Sequence, residues 1–471
     1  MDPAAEATVQ ERIPLREKLA YGSADFAANL YWNTFATYLL FFYTEVFGIS
    51  AAAAGTLFLL CRLLDGAIDP AVGMIADRTE TRWGKFRPYL LWFCVPFAIF
   101  GVLTFTTPGL GPAGRLAWAY GTYLVLMILF TFMSIPYSAM LGVLSSDPAE
   151  RTSLSSIKFV FAFAGCFVVS ATLLPLVQAL GGGNAARGWQ LAFVVFGVAY
   201  VLVNLFTFLG TRERIHPAPA REASIRTDIR DLLTNPAWIS LALTTVIFLV
   251  SVGIRASVTA YYFKYCIGTQ SLSLPFAGGP RAYGFVEIVS AFGTVGMVSA
   301  IVGVLLLNAF VRLTGKKCGF IILLAVSTAS TAAFYFLRPD QLLAIFLWNA
   351  IGSLTGAPIS ALLWAMYADV ADFGEWKTGR RATGLVFSAS IMGTKFGGAF
   401  AAACAGWLLA WIGFHSDVAA SPSVRHGLVL LMSLIPASVA LVSLVVVCFY
   451  PLNEAKIARV GSELPARRIS G

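Results

Sequence analysis

The chain has 471 residues, of which 58% are hydrophobic and only 12% charged, with a net charge of +9 and a mean hydropathy of +0.77. Apolar runs of about 20 residues recur along its whole length, which excludes a string of soluble domains and makes the chain a polytopic membrane protein. Its positive charge is segregated by loop and so reads as a topology signal, not as an attraction for nucleic acid.

Residues 1–18 are mixed in charge and lack an apolar core followed by a small-residue cleavage site, so no signal peptide is expected. Spans are then predicted at 19–46, 51–76, 88–107, 115–140, 153–180 and 188–210. Six more follow at 236–266, 283–310, 317–337, 341–370, 382–413 and 426–450. Of the 33 Lys and Arg, 24 fall at loops of one side, counting Lys158 at the head of its span, and 6 at the other. The remaining three, Arg62, Arg255 and Lys395, lie within spans. This asymmetry predicts cytoplasmic termini in a plasma (inner) membrane protein.

In the first span Asp25, Asn29 and Asn33 recur every four residues beside Trp32. A stripe of hydrogen-bonding groups next to an aromatic plate suits a sugar, whose hydroxyls need donors and acceptors and whose C–H face stacks on a ring. The second span carries Arg62, Asp65 and Asp69 inside an apolar run. Asp65 and Asp69 share a helix face, and Asp65 lies roughly 21 Å from the start of its span at Ala51. Two bare carboxylates about 6 Å apart repel by about 3 kcal/mol at an effective dielectric of 20. Such a site holds a proton, a counter-charge or a small cation, and carboxylate oxygens suit a hard one. The competing structural reading is a fixed ion pair with Arg62, which leaves Asp69 over.

The loop after this span, with Asp77, Arg78, Arg82, Lys85 and Arg87, has a counterpart in Asp369, Asp372, Glu375, Lys377, Arg380 and Arg381. These charges read either as solvated topology signals or as ion pairs of a cytoplasmic gate, with Asp77 and Asp372 nearest the span ends. An internal repeat underlies the match. "SIPYSAML" at 134–141 corresponds to "GAPISALL" at 356–363, both leading to an aspartate at the same offset, Asp147 and Asp369. "KFVFAFAG" from Lys158 parallels "KFGGAFAA" from Lys395, and "GMIADRTETRWGK" has a weaker echo in "GVLLLNAFVRLTGK". The halves run in one direction, which predicts two parallel six-helix repeats around a central cavity that rock about a fixed midplane site. The expected domains are 1–210, a cytoplasmic linker at 211–235 with Pro217, Pro219 and nine charges, and 236–471 with a cytoplasmic tail.

Lys395 lies about 21 Å into its span after Arg381, too deep to snorkel easily. Lys158 is only seven residues past Arg151, which leaves both an interior and a headgroup role open. Arg255 and Glu287 are intramembrane, and pairing between different spans is beyond what spacing decides. Gly393 and Gly397 have the spacing of close helix packing. Seven isolated cysteines read as packing residues, and the three histidines lie in or beside loops. No G-x-x-x-x-G-K-[ST] occurs, which argues against an ATP-driven pump on one chain, and no enzymatic constellation is found.

Six stretches, in order, resemble the glycoside-pentoside-hexuronide:cation symporter family of the major facilitator superfamily. They are "YGSAD" (21–25), "FFYTEVFGIS" (41–50), "GTLFLLCRLLDGAIDPAVG" (55–73), "TRWGKFRPYLL" (81–91), "DPAERTS" (147–153) and "ADVADFGEWKTGRRATGLVFS" (368–388). The resemblance implies that Asp65 and Asp69 bind the coupling cation, H+ or Na+, with help from Thr131. The aspartates are metal ligands only if the ion is Na+, and no other cofactor is implied. It further implies that Lys395 links cation and sugar sites and that Lys158 replaces an interior arginine. Arg62, the charge before Asp65 in the second span, is expected to act with Lys395 as a coupling residue. Asp25, Asn29, Trp32, Ser134, Lys158 and Trp364 form the expected substrate set. The chain departs from the family's melibiose-carrying member where that protein has two sugar-binding aspartates, here Asn29 and Ser134, and a stacking tryptophan, here Ser138. Those changes argue against a galactoside of that kind. Ile68 replaces an asparagine beside the cation site, which removes one oxygen and weakens Na+ relative to H+.

The expected function is cation-coupled symport of a sugar, glycoside, pentoside or hexuronide by alternating access, in a monomer bound to no nucleic acid. A lipid or other small-molecule carrier of the same fold is the second reading, and it requires an apolar tunnel open to the bilayer. A non-transport receptor is the third, and it needs a soluble module that the loops lack.

Overall fold

A computed structural model describes residues 13–145, 147–214, 232–273, 280–378, 383–415 and 421–470. Arg380, Arg381 and most of the expected linker lie outside the described residues. Eleven helices are long and apolar enough to cross a membrane among the described residues. The stretch predicted as the first span is helical over 15–47 but is not one of the eleven. Its α-helical part, α1 (Leu15–Thr34), carries Arg16, Glu17, Lys18 and Asp25, and two π-helical turns, Phe35–Leu39 and Tyr43–Phe47, complete it.

The next five helices are α2 (Ala51–Arg78), α3 (Arg87–Thr104), α4 (Pro112–Leu144), α5 (Pro148–Gly181) and α6 (Ala185–Gly210). Then come α7 (Pro236–Tyr262), which runs into a π turn at Phe263–Ile267, and a hairpin of β1 (Gln270–Ser273) and β2 (Pro280–Tyr283). They are followed by α8 (Phe285–Thr314), α9 (Lys316–Ala333) with a 3-10 turn at Phe334–Phe336, α10 (Leu342–Thr378) and α11 (Thr383–Trp411). The last predicted span is α12 (Pro422–Met432) plus α13 (Leu434–Cys448). Proline at 436 has no N–H for the Met432 carbonyl, and the helix breaks at Ser433. The tail then forms α14 (Glu454–Ser470), an element not predicted from the sequence.

Local chemistry accounts for the helix starts. Asn184, Asn235 and Ser421 accept hydrogen bonds from backbone N–H groups one turn on, and prolines open α4, α7 and α12, where an N–H would have no partner. The repeat is visible in the backbone as well. The π turns Tyr43–Phe47 and Phe263–Ile267 both end on a glycine of positive φ, Gly48 (φ 84°) and Gly268 (φ 66°), which side-chain-bearing residues rarely take.

By contacts the described chain divides into two units, 1–34 with 64–169 and 176–220, and 35–63 with 170–175 and 221–471. In unit 1, Tyr31 is fully buried among Phe97, Phe193 and Tyr200 at 4.7, 5.4 and 5.2 Å between ring centroids. The end of that unit nearest the linker is tied by two acids. The Glu213 carboxylate accepts the backbone N–H groups of Lys85, Phe86 and Arg87 at 2.8 Å each, and Glu17 receives Arg214 at 2.8 Å. In unit 2, the head of α2 meets α11 backbone to backbone. A Cβ on Gly406 would sit 2.5 Å from the Ala51 carbonyl oxygen and 2.8 Å from Gly55 Cα. Gly397, one of the two small residues expected to allow close packing, likewise lies against the Val246 backbone of α7, with 3.3 Å left for a Cβ.

Candidate functional site: a carboxylate pair and two cavities

Asp65 sits in the middle of α2 and is 5% exposed. The Thr131 hydroxyl of α4 donates to its Oδ1, so the threonine expected beside the cation is in hydrogen-bond contact with the carboxylate. Asp69 lies one turn further along α2, half-buried, with Oδ1 shielded from solvent. Proline follows it at 70 within the helix and has no N–H to give the Gly66 carbonyl, so a backbone oxygen is released on the turn between the two aspartates. Ile68, also half-buried, adds no oxygen. Arg62 is half-buried one turn before Asp65.

Asp25 of α1 is the hub of a second cluster in unit 1. The Tyr137 hydroxyl donates to its Oδ2 at 2.8 Å, and Lys158 Nζ lies 3.6 Å from the same oxygen and 5.0 Å over the Tyr137 ring. Of the two roles open to Lys158, the geometry is the interior one. Asp25, Ser134 and Lys158 line one cavity of about 100 Å3, with Tyr137, Ser138 and Asn204. That is below the roughly 300 Å3 at which ligand pockets begin.

The rest of the polar stripe is engaged in hydrogen bonds within α1 and to α5. Asn29 Nδ2 donates to the Asp25 carbonyl at 2.8 Å, Cys166 Sγ approaches Asn29 Oδ1 at 3.4 Å, and Asn33 Nδ2 donates to the Cys166 carbonyl at 3.2 Å. Trp32 stacks on Phe130 at 5.5 Å and 16°. Trp364 and Lys395 belong to unit 2. Trp364 stacks on Phe387 at 6.2 Å, and Lys395 is half-buried on α11.

The two gate candidates also fall in different units. Asp77 is 72% exposed and 3.7 Å from Lys85, a solvated pair worth at most about 1 kcal/mol. Asp372 is exposed on α10, which continues to Thr378, beyond the predicted end of its span. The stronger ion pair near it joins Lys316 to Asp369 at 2.7 Å. Arg255 and Glu287 form no ion pair, since Glu287 is exposed and the guanidinium lies over the Phe334 ring at 4.6 Å.

Sequence reasoning missed Tyr137, although it lies inside the repeated "SIPYSAML", and missed the larger cavity of about 380 Å3 in unit 2. That cavity is lined by serines and threonines scattered over five helical stretches, a pattern with no linear signature.

The family described as MFS/sugar transport protein matches residues 20–454. An inner membrane symporter of Escherichia coli (strain K12), YicJ, is 33% identical over 459 residues, covering 96% of this chain and 95% of its own. The isoprimeverose transporter of Lactiplantibacillus pentosus is 33% identical over 456 residues, covering 94% and 90%. Among solved structures, a bacterial homologue of the human lysosomal transporter Spinster, inward-facing and unoccupied, superposes with a TM-score of 0.66 at 16% identity over 95% of this chain and 97% of that one, a likeness of fold alone. A multi-pass membrane protein whose family match spans all its membrane helices, and whose motifs and relatives are those of sugar–cation symporters, the chain belongs to the MFS/sugar transport proteins of the major facilitator superfamily.

Proposed function

We propose that this protein couples the downhill entry of H+ or Na+ to the uptake of a sugar, glycoside, pentoside or hexuronide across the inner membrane, with both termini cytoplasmic and the monomer as the working unit. The observation that carries the coupling is the burial of Asp65 in mid-span against the Thr131 hydroxyl, one turn from Asp69. Buried carboxylates at this spacing bind a positive charge at little structural cost, because the cation removes a repulsion of about 3 kcal/mol. The Gly66 carbonyl, left without a Pro70 N–H, is a further oxygen on the turn between the two aspartates. Asp25, Tyr137, Ser134 and Lys158 form the polar part of the substrate path, and Lys395 and Arg62 link it to the cation site. The 15–47 helix supplies the twelfth span, and bundles 1–210 and 236–471 move about the 211–235 linker. Asp77 and Asp372 close the cytoplasmic side.

The family relation supports this reading, as do relatives named as symporters and as an isoprimeverose transporter. The test is uptake of labelled glycosides, pentosides and uronides into right-side-out vesicles under imposed H+ or Na+ gradients. Asp69→Asn is expected to abolish gradient-driven accumulation while leaving exchange or downhill flux. Accumulation that survives the substitution would show that the aspartates are structural.

A further inference from the structure

Residues 35–63 belong to unit 2 together with α7 and α11, and a seam joins the 35–47 stretch to α7. Running toward the two π turns, the Ser257 hydroxyl of α7 donates to the Ala36 carbonyl at 3.2 Å, and the Phe41 and Tyr261 rings meet edge to face at 5.2 Å. Thr44 and Tyr261 then share a hydrogen bond of 2.6 Å. Ser257, Phe41, Thr44 and Tyr261 are all buried. The seam ends in a charged cluster. The Glu45 side chain, 3% exposed, is paired with Lys264, and its two oxygens accept the Tyr265 hydroxyl at 2.6 and 2.7 Å. Lys264 Nζ also lies 5.4 Å over the Phe41 ring, while its side chain stays 37% exposed.

The repeat makes this pairing informative. Tyr43–Phe47 and Phe263–Ile267 are equivalent turns, so Thr44 is in register with Lys264 and Glu45 with Tyr265. One copy supplies a carboxylate and the other supplies both donors, where two copies of one charge would repel. The cluster is also a contact of a particular kind. A carboxylate buried against donors has given up its water, and it regains that hydration when the contact opens, whereas an apolar seam gains nothing from exposure. A polar cluster at the end of an apolar seam thus holds one arrangement firmly and still permits another.

We propose that Glu45, Lys264 and Tyr265 form an extracytoplasmic latch, which clasps the first helix to α7 while the outer side is shut and breaks before substrate enters. The side of the membrane and the need to open rest on the transport reading above, in which the turns after the first span and after α7 face away from the cytoplasm. Thr37, eight residues and roughly 12 Å further into the membrane than Glu45, lines the unit 2 cavity with Ser251 and Thr259 of α7. The latch stands on the outer side of that cavity, so its release would open the seam toward Thr37.

Thr37→Cys is the reporter. It is labelled with a membrane-impermeant maleimide in right-side-out and in inside-out vesicles, and mass spectrometry of its peptide separates it from the native cysteines. Glu45→Gln and Lys264→Gln are each expected to raise labelling from the outside about 10-fold and to lower it from the inside, because release of the latch shifts the population toward the outward-open state. Tyr265→Phe should give a smaller change of the same sign. Glu45→Lys combined with Lys264→Glu should bring both rates back toward those of the reporter alone, which neither reversal does by itself. Outside labelling unchanged in both glutamine variants, labelling raised from both sides as in a loosened fold, or a double reversal no better than the single ones would each overturn the latch. Latch-dependent labelling in a protein that accumulates no sugar under either gradient would leave the latch standing and sink the transport reading instead.

Discussion

Thr131 shows how much one hydroxyl decides. Its Oγ donates to Asp65 from a neighbouring helix, and both groups are nearly fully buried. A hydrogen bond to a charged acceptor contributes about 1.5–3 kcal/mol. Thr131→Val keeps the shape and removes the donor, so the cation concentration needed for half-maximal uptake should rise about 10- to 100-fold, with Thr131→Ser near wild type. Unchanged cation dependence in the valine variant would place the coupling ion elsewhere. Asp25 illustrates a different balance. Its charge meets both the Tyr137 hydroxyl and the Lys158 ammonium, so a carboxylate that is expensive in hydrocarbon is compensated before any substrate arrives. From sequence, Asp25 is legible as a polar group on the first span, but its partners come from residues 112 and 133 positions away, which no local spacing encodes.

At the scale of elements, the helices follow from apolar run length, but their contacts follow from small residues. Gly55 and Gly406 let α2 and α11 touch through their backbones in unit 2, and a methyl group on Gly406 has no space. Overpacking of this kind costs about 1–3 kcal/mol. Gly406→Ala should lower the thermal unfolding midpoint of the purified protein. Gly73→Ala on α2, where a Cβ meets nothing within 4 Å, should leave it unchanged or raised, since alanine favours helix by up to about 1 kcal/mol over glycine. Equal effects of the two substitutions would mean that the α2–α11 contact is not tight in the membrane. The duplicated π turns carry the repeat further than the sequence comparison did. "FFYTEVFG" and "YYFKYCIG" share few letters, yet both wind into a π turn and stop on a glycine of positive φ. In unit 2 the turns meet where Glu45 of one binds Lys264 and Tyr265 of the other.

For the whole molecule, the loop charges set the expected orientation, with 24 of 33 basic residues on the side of the termini. A fluorescent protein fused after Gly471 should therefore be active in the cytoplasm. A reporter that requires an oxidising compartment should be active in the loops near Arg115 and Arg338 and silent near Lys316, and the opposite pattern would invert the topology. Composition and apolar periodicity by themselves determined the membrane class, the positions of eleven spans and the unusual cost of Asp65 and Asp69, because hydrophobicity is additive along a chain and a charge in lipid stands out at any position. The extended α10 and the α14 helix of the tail were not legible, since both run through polar residues stabilised by packing and by contacts such as Trp376 with Glu463 at 2.9 Å. Only the tertiary structure decided that Lys158 turns inward to Asp25, that Arg255 lines a cavity and does not pair with Glu287, and that Asn33 binds the backbone of another helix. The physical reason is common to all three. The energy of a buried polar group depends on which distant atoms complete its hydrogen bonds, and helix packing alone determines those atoms.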